Sequence, residues 1–155
     1  MGSGKTVDGA LAAQRANAPF FDLDHLVEDK AGMSIAEIFA THSEEAFRAL
    51  EKETLPTVLQ PDSVVALGGG VVLDDDNWRQ ICREAMTVFL DVPFETIWER
   101  IRDLPGRPLI TSRTEPEVRA LYEVRRPRYE EATYTVDGRQ PAGALADEVL
   151  KLWSV

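Results

Sequence analysis

The chain has 155 residues, 44% of them hydrophobic and 28% charged, which fits a single soluble globular domain able to bury a core. A formal net charge of −10, from 27 Asp and Glu against 17 Lys and Arg, argues against a nucleic-acid or anionic-membrane partner, so an anionic ligand must be held by local arginines. The one cysteine, Cys82, excludes an intramolecular disulfide, and no apolar run reaches the ~18–20 residues of a membrane span; the expected location is the cytoplasm and the expected state a monomer.

The predicted elements follow in chain order. Val7 to Asn17 is alanine-rich and reads as a helix ending before Pro19, and PFFDLD supplies a short buried strand. SIAEIFA opens with a capping box, Ser34 with Glu37. SEEAFRALEKETL reads as a helix capped by Ser43 and interrupted near Pro56. SVVAL is a second strand, running into Gly68-Gly69-Gly70. Asp74 to Asp76 can cap a helix with Trp78, Ile81, Cys82 and Ala85 along one side, which makes Cys82 a core residue.

TVFLDV is a third strand, followed by Pro93 and the helix FETIWERIR. The polar, proline-interrupted stretch DLPGRPLITSRTEPE is expected to be a functional loop. A helix is predicted from about Glu117 to Ala132, bent or broken at Pro127. YTVDG is a fourth strand, and AGALADEVLKLW closes the chain as a helix packing Leu145, Val149, Leu150 and Trp153. Short apolar strands alternating with helices predict an α/β fold, a parallel sheet covered on both faces.

Three features carry chemistry. Gly4-Lys5-Thr6 ends a phosphate-binding loop of the form G-x-x-x-x-G-K-[ST], in which backbone N–H groups and a helix N-terminus cradle phosphate. Its first glycine and preceding strand fall before Met1, and Met-Gly-Ser also reads as an expression leader, so both readings stay open on this stretch. Asp22 and Asp24, at a strand end, suit a metal and a proton acceptor; Asp24 could equally cap the helix beginning HLVEDK. Three successive glycines after VVAL allow close approach of backbone to ligand, or form a plain turn. Arg48, Arg107 and the crowd Arg125, Arg126 and Arg128 offer guanidinium forks for carboxylate or phosphate. His25 and His42 match no catalytic pattern and read as surface residues.

Taken in order, GSGKT, FFDLD, SIAEIFA with EEAFRALE, VVALGGGVV, RPLI and RRPRYEEA resemble the shikimate kinases. The resemblance runs from residue 2 to about 134. It implies one kinase domain over residues 1–155 with a lid at about 103–116. The implied sheet is of the nucleoside-monophosphate-kinase type, strand order 2-3-1-4-5, with strand 1 missing or truncated here. It also implies transfer of the ATP γ-phosphoryl group to the 3-hydroxyl of shikimate, with Mg²⁺ as cofactor and shikimate and ATP as the small-molecule partners.

By the same resemblance Gly2, Ser3, Gly4, Lys5 and Thr6 bind nucleotide phosphates, and Thr6 and Asp22 serve the metal. Lys5, Asp24 and Arg107 are the catalytic residues, Asp24 being the general base. Asp24, Arg48, Gly69, Gly70 and Arg125 hold shikimate, while Arg100 packs on adenine and Arg107 closes on the phosphates. Val7 and Ala10 depart from the family pattern, which has a threonine and a basic residue at these places. About ten further residues, with an apolar strand and a glycine, are expected upstream of GSGKT. The competing readings are a kinase-like binding protein without turnover and a kinase of another small hydroxylated substrate such as gluconate.

Overall fold

The computed structural model describes residues 2–102 and 113–153. Helix α1 (Lys5–Ala16) leads to strand β1 (Phe20–Asp22), which passes directly into α2 (Leu23–Ala31). Helices α3 (Ile35–Thr41) and α4 (Glu44–Val58) precede β2 (Val64–Ala66), a 3-10 turn at Val71–Leu73 and α5 (Asp75–Glu84). Then come β3 (Val88–Asp91), α6 (Phe94–Ile101), α7 (Glu115–Tyr129), β4 (Tyr134–Asp137) and α8 (Ala142–Trp153). The fold is α/β with parallel strands, as the alternation of short apolar runs and helices implies.

Local chemistry sets the boundaries. Asn17 ends α1 in the left-handed conformation, its N–H returned to the Ala13 and Gln14 carbonyls. The capping box of Ser34 and Glu37 forms as expected, and Ser43 accepts from the Ala46 N–H at the start of α4. The prolines behave differently from expectation. Neither Pro56 nor Pro127 breaks its helix, because each sits near the C-terminal end, where few carbonyls depend on it and tertiary contacts hold the last turn. Leu55 and Val58, both fully buried, flank Pro56. Beyond Pro127, the Tyr129 hydroxyl donates to the Gly69 carbonyl at 2.7 Å. Cys82 is exposed rather than core: the buried stripe of α5 is Asn77, Trp78 and Ile81, and one further residue turns about 100° away from it.

The four strands form two separate parallel pairs. Phe20, Phe21 and Asp22 register with Val64, Val65 and Ala66, and Val88 to Asp91 register with Tyr134 to Asp137. In the family numbering these are the pairs 2-3 and 4-5, and among the described residues no strand lies between them. The apolar core is divided in the same way. One cluster, around Leu23, Leu55 and Ile81, packs beside β1 and β2, and a second, around Val92, Ile101 and Val118, follows β3. Helix α1 is tied to α8 where Arg15 donates to the Gly143 carbonyl and to Asp147. Among the described residues, no helix is long and apolar enough to cross a membrane.

Candidate active site

Lys5, Thr6, Asp22, Asp24 and Arg48 gather where β1 and β2 end. The turn before α1 has Gly2 at φ +57 and Gly4 at φ +97, left-handed values that glycine adopts without strain. That geometry lets the turn lie over the N-terminus of α1, whose first residue is Lys5. Free N–H groups and the positive end of the helix dipole meet there, so the place suits an anion.

Two contacts join this turn to the end of β1. The Thr6 hydroxyl donates to Asp22 Oδ2 at 2.7 Å, and Lys5 Nζ lies 3.7 Å from Asp24 Oδ2. The cap of α2 is Asp22, not Asp24: Asp22 Oδ1 accepts the Asp24 N–H at 3.0 Å, because β1 runs into α2 with no intervening loop. Asp22 is buried, while Asp24 is half-buried and keeps its carboxylate for the cleft. A hydroxyl beside a carboxylate is a hard-oxygen pair of the kind Mg²⁺ takes together with substrate phosphates, so Thr6 and Asp22 fit that ion.

The glycine turn after β2 lies against these carboxylates. A Cβ on Gly68 would fall 2.6 Å from Asp24 Oδ1 and 3.1 Å from Glu51 Oε1, and one on Gly70 would collide with the Arg48 guanidinium. The turn is glycine-rich because acidic and basic side chains fill the space a methyl group would occupy. Arg48 pairs with Glu51 one turn along α4 and with Glu44 at 3.1 Å. Glu51 is only 1% exposed; burial pushes its carboxyl up to about 7 against the opposing pull of Arg48, and its Oε1 has no hydrogen-bond partner. Arg125, 5% exposed, is turned inward from α7 and has an unpartnered Nε. Its field and hydrogen bonding oppose the rise that burial causes in the Tyr129 phenol.

The arginine crowd around Pro127 therefore divides. Arg125 faces the site, Arg126 binds both oxygens of Asp91 at 2.9 and 3.1 Å, and Arg128 pairs with Asp75 and Glu131. Arg100 donates to the carbonyls of Gly2 and Ser3, at 3.2 and 3.4 Å, and so braces the turn from below. Arg107 lies outside the described residues, as does most of the expected lid at 103–116; residues 115 and 116 belong to α7, which Thr114 caps.

Three residues of this region were not singled out for a role in the sequence. Glu51 and Tyr129 stand within motifs already noted, and spacing alone gives the signal for Glu51, three positions after Arg48 on a helix. Asp8 is the third. It is 6% exposed beneath the turn, its carboxyl raised by burial and opposed by Arg100, with Oδ1 unpartnered.

The chain also has a set of relatives. The shikimate kinase family model matches residues 1–153. A shikimate kinase of Rhizobium meliloti is 37% identical over 153 residues, covering 97% of this chain and 80% of that protein. One from Parasynechococcus marenigrum is 42% identical over 156 residues, covering 98% and 81%. Among solved structures, shikimate kinase from Acinetobacter baumannii in complex with shikimate superposes with a TM-score of 0.94 at 33% identity, covering 99% of this chain and 88% of that one. The Aquifex aeolicus enzyme gives 0.87 at 34% identity, covering 99% and 92%. With its phosphate-type turn, carboxylate pair and glycine turn in one cleft, and with these matches along nearly its whole length, the chain belongs to the shikimate kinase family.

Proposed function

We propose that the chain catalyses ATP-dependent phosphorylation of the 3-hydroxyl of shikimate. The observation that carries this reading is the gathering of Asp24 and Arg48 against Gly68 and Gly70, beside the turn that holds Lys5, with the buried Arg125 acting on Glu51 between them. An inward-facing arginine pair suits a carboxylate, the carboxylate of Asp24 suits a hydroxyl, and the two together suit a hydroxylated carboxylic acid.

Each residue then has a task. Gly2, Ser3 and Gly4 offer backbone N–H groups to the ATP phosphates, and Lys5 neutralises the charge that spreads over the transferred group. Asp24 accepts the proton of the attacking hydroxyl. Before nucleotide binds, Lys5 lies against Asp24; phosphates that draw Lys5 away release the carboxylate to act as base. Arg48 and Arg125 clamp the substrate carboxylate, with the N–H groups of Gly69 and Gly70 beside them. Thr6 and Asp22 would hold Mg²⁺, which supplies further charge neutralisation on the phosphates when bound. Arg100 braces the phosphate turn through the Gly2 and Ser3 carbonyls, and its contact with adenine is part of the proposal. Arg107 has its role by family resemblance alone.

ADP release measured with shikimate, gluconate and AMP as alternative acceptors tests the reading. Turnover is expected with shikimate alone. Turnover with gluconate or AMP in its place would overturn the substrate assignment, and ATP binding without turnover on any acceptor would make the chain a binding protein.

A further inference from the structure

Tyr129, the last residue of α7, stands four positions after Arg125, so the two lie on one face of that helix. The face is turned inward. Arg125 is buried, and Tyr129 is half-buried with its ring 5.6 Å from that of Phe89 and packed on the core cluster beside β1 and β2.

The glycine turn after β2 has three carbonyls to satisfy. The Gly68 carbonyl accepts the Val71 N–H at 3.3 Å and the Gly70 carbonyl accepts the Leu73 N–H at 3.1 Å, both within the 3-10 turn. The Gly69 carbonyl between them accepts instead from the Tyr129 hydroxyl, at 2.7 Å. A peptide unit is planar and trans, so its C=O and N–H point in opposite directions. The unit joining Gly69 to Gly70 has glycine on both sides, where a peptide plane turns over most easily. By holding this carbonyl, Tyr129 also fixes the direction of the Gly70 N–H, on the residue over which Arg48 reaches.

We propose that Tyr129 is a positioning residue for the substrate carboxylate: its hydroxyl locks the Gly69–Gly70 peptide, so that the N–H groups of the turn and the Arg125 guanidinium keep one geometry toward the anion. The proposal rests on the reading of this turn as the place where the acceptor acid docks. The helix itself is anchored elsewhere. Arg126 binds both oxygens of Asp91, and the Tyr122 hydroxyl donates to the Val92 carbonyl at 3.1 Å. Loss of the Tyr129 hydroxyl therefore frees the turn and not α7. Burial pushes the Tyr129 phenol up against the pull of Arg125, so it stays protonated and a donor through the neutral range.

Tyr129→Phe tests this, since it keeps the ring against Phe89 and removes one hydrogen bond. KM for shikimate should rise about three- to tenfold, the worth of one hydrogen bond, with kcat and KM for ATP unchanged within about twofold. The methyl ester of shikimate lacks the anion, so its inhibition constant should be the same in both proteins. Tyr122→Phe removes a phenol-to-carbonyl bond from the same helix away from the turn, and should leave KM for shikimate where it was. Relaxation-dispersion NMR without substrate should show microsecond-to-millisecond exchange at the Gly69 and Gly70 amides in Tyr129→Phe but not in Tyr122→Phe. An unchanged KM, absence of that exchange, an equal rise in the constant for the ester, or the same rise in Tyr122→Phe overturns the proposal. If the unaltered chain does not turn over shikimate, yet Tyr129→Phe alone shows the exchange, the substrate assignment falls and the tether stands.

Discussion

Arg48 and Glu51 stand three residues apart on α4 and form an ion pair in which the carboxylate is buried and the guanidinium reaches over Gly70. Glu51 thereby fixes the direction of a cation that belongs to the cleft. Its cost is a carboxyl held in low dielectric with one oxygen unpartnered.

That cost gives a pH dependence. The carboxyl of Glu51 titrates at about 7 in the folded chain against an ordinary 4.5, so the folded chain keeps this proton longer than the unfolded chain does. The contribution of Glu51 to stability is greatest below about pH 4.5, falls as pH rises through 7 and is constant above; the span corresponds to ~3 kcal/mol. Glu51→Gln should flatten this part of the stability profile, read by urea unfolding from pH 5 to 8. An unchanged slope would remove Glu51 as its source. The same variant should raise KM for shikimate, since Arg48 loses its tether.

Asp24→Asn should lower kcat by about 10²–10⁴-fold while leaving KM for ATP near its original value, the loss expected when a general base is removed. Asp22, not Asp24, caps α2, so the substitution spares the helix start and the melting temperature should hold. A matching fall in stability would assign Asp24 a structural role instead.

Gly70→Ala isolates the steric side of the site. Gly70 has φ −98, where alanine is comfortable, so the backbone is not strained. The added methyl meets the Arg48 guanidinium and must displace it. The expected result is a several-fold rise in KM for shikimate with little change in melting temperature. An unchanged KM would show that Arg48 does not need its present position.

Asp8→Asn replaces a buried, partly unsatisfied carboxylate beneath the phosphate turn with a neutral isostere. Burial works against the charge of the Asp8 carboxylate in the folded chain, so replacing it with a neutral amide should raise the melting temperature. One negative charge fewer beside the turn should also lower KM for ATP. Thermal melting and steady-state kinetics read the two effects separately, and a variant with lower stability and unchanged KM would contradict both.

Much of this arrangement was legible in the residues. Period and caps give the helices, and Gly4-Lys5-Thr6, the Asp22/Asp24 pair and the three glycines mark the strand ends where the cleft forms. What stayed hidden depends on tertiary direction. Arg125, Arg126 and Arg128 are alike in sequence, and only the rotation of α7 turns the first inward while Asp91 and Asp75 take the others. Glu51 looks like an ordinary exposed partner for an arginine until burial is known. Pro56 and Pro127 read as breaks because the contacts that hold their last turns are distant in the chain. Cys82 lies off the core because a short helix has two candidate faces, and Asn77, with its bond to the Val71 carbonyl, selects the other one.

The three-rung register of β1 on β2 has a consequence for how the cleft tolerates change. Opposite Asp22 stands Ala66, two residues before Gly68, so the ladder acts as the ruler that aligns the carboxylates of one strand end with the turn of the other. A slip by one rung would carry Asp24 about 3.3 Å along the turn and reverse the faces of every side chain on the strand. Single-residue insertions or deletions at Asp62–Ser63 or Ala18–Pro19 should therefore damage turnover severely, although neither place holds a residue of the cleft.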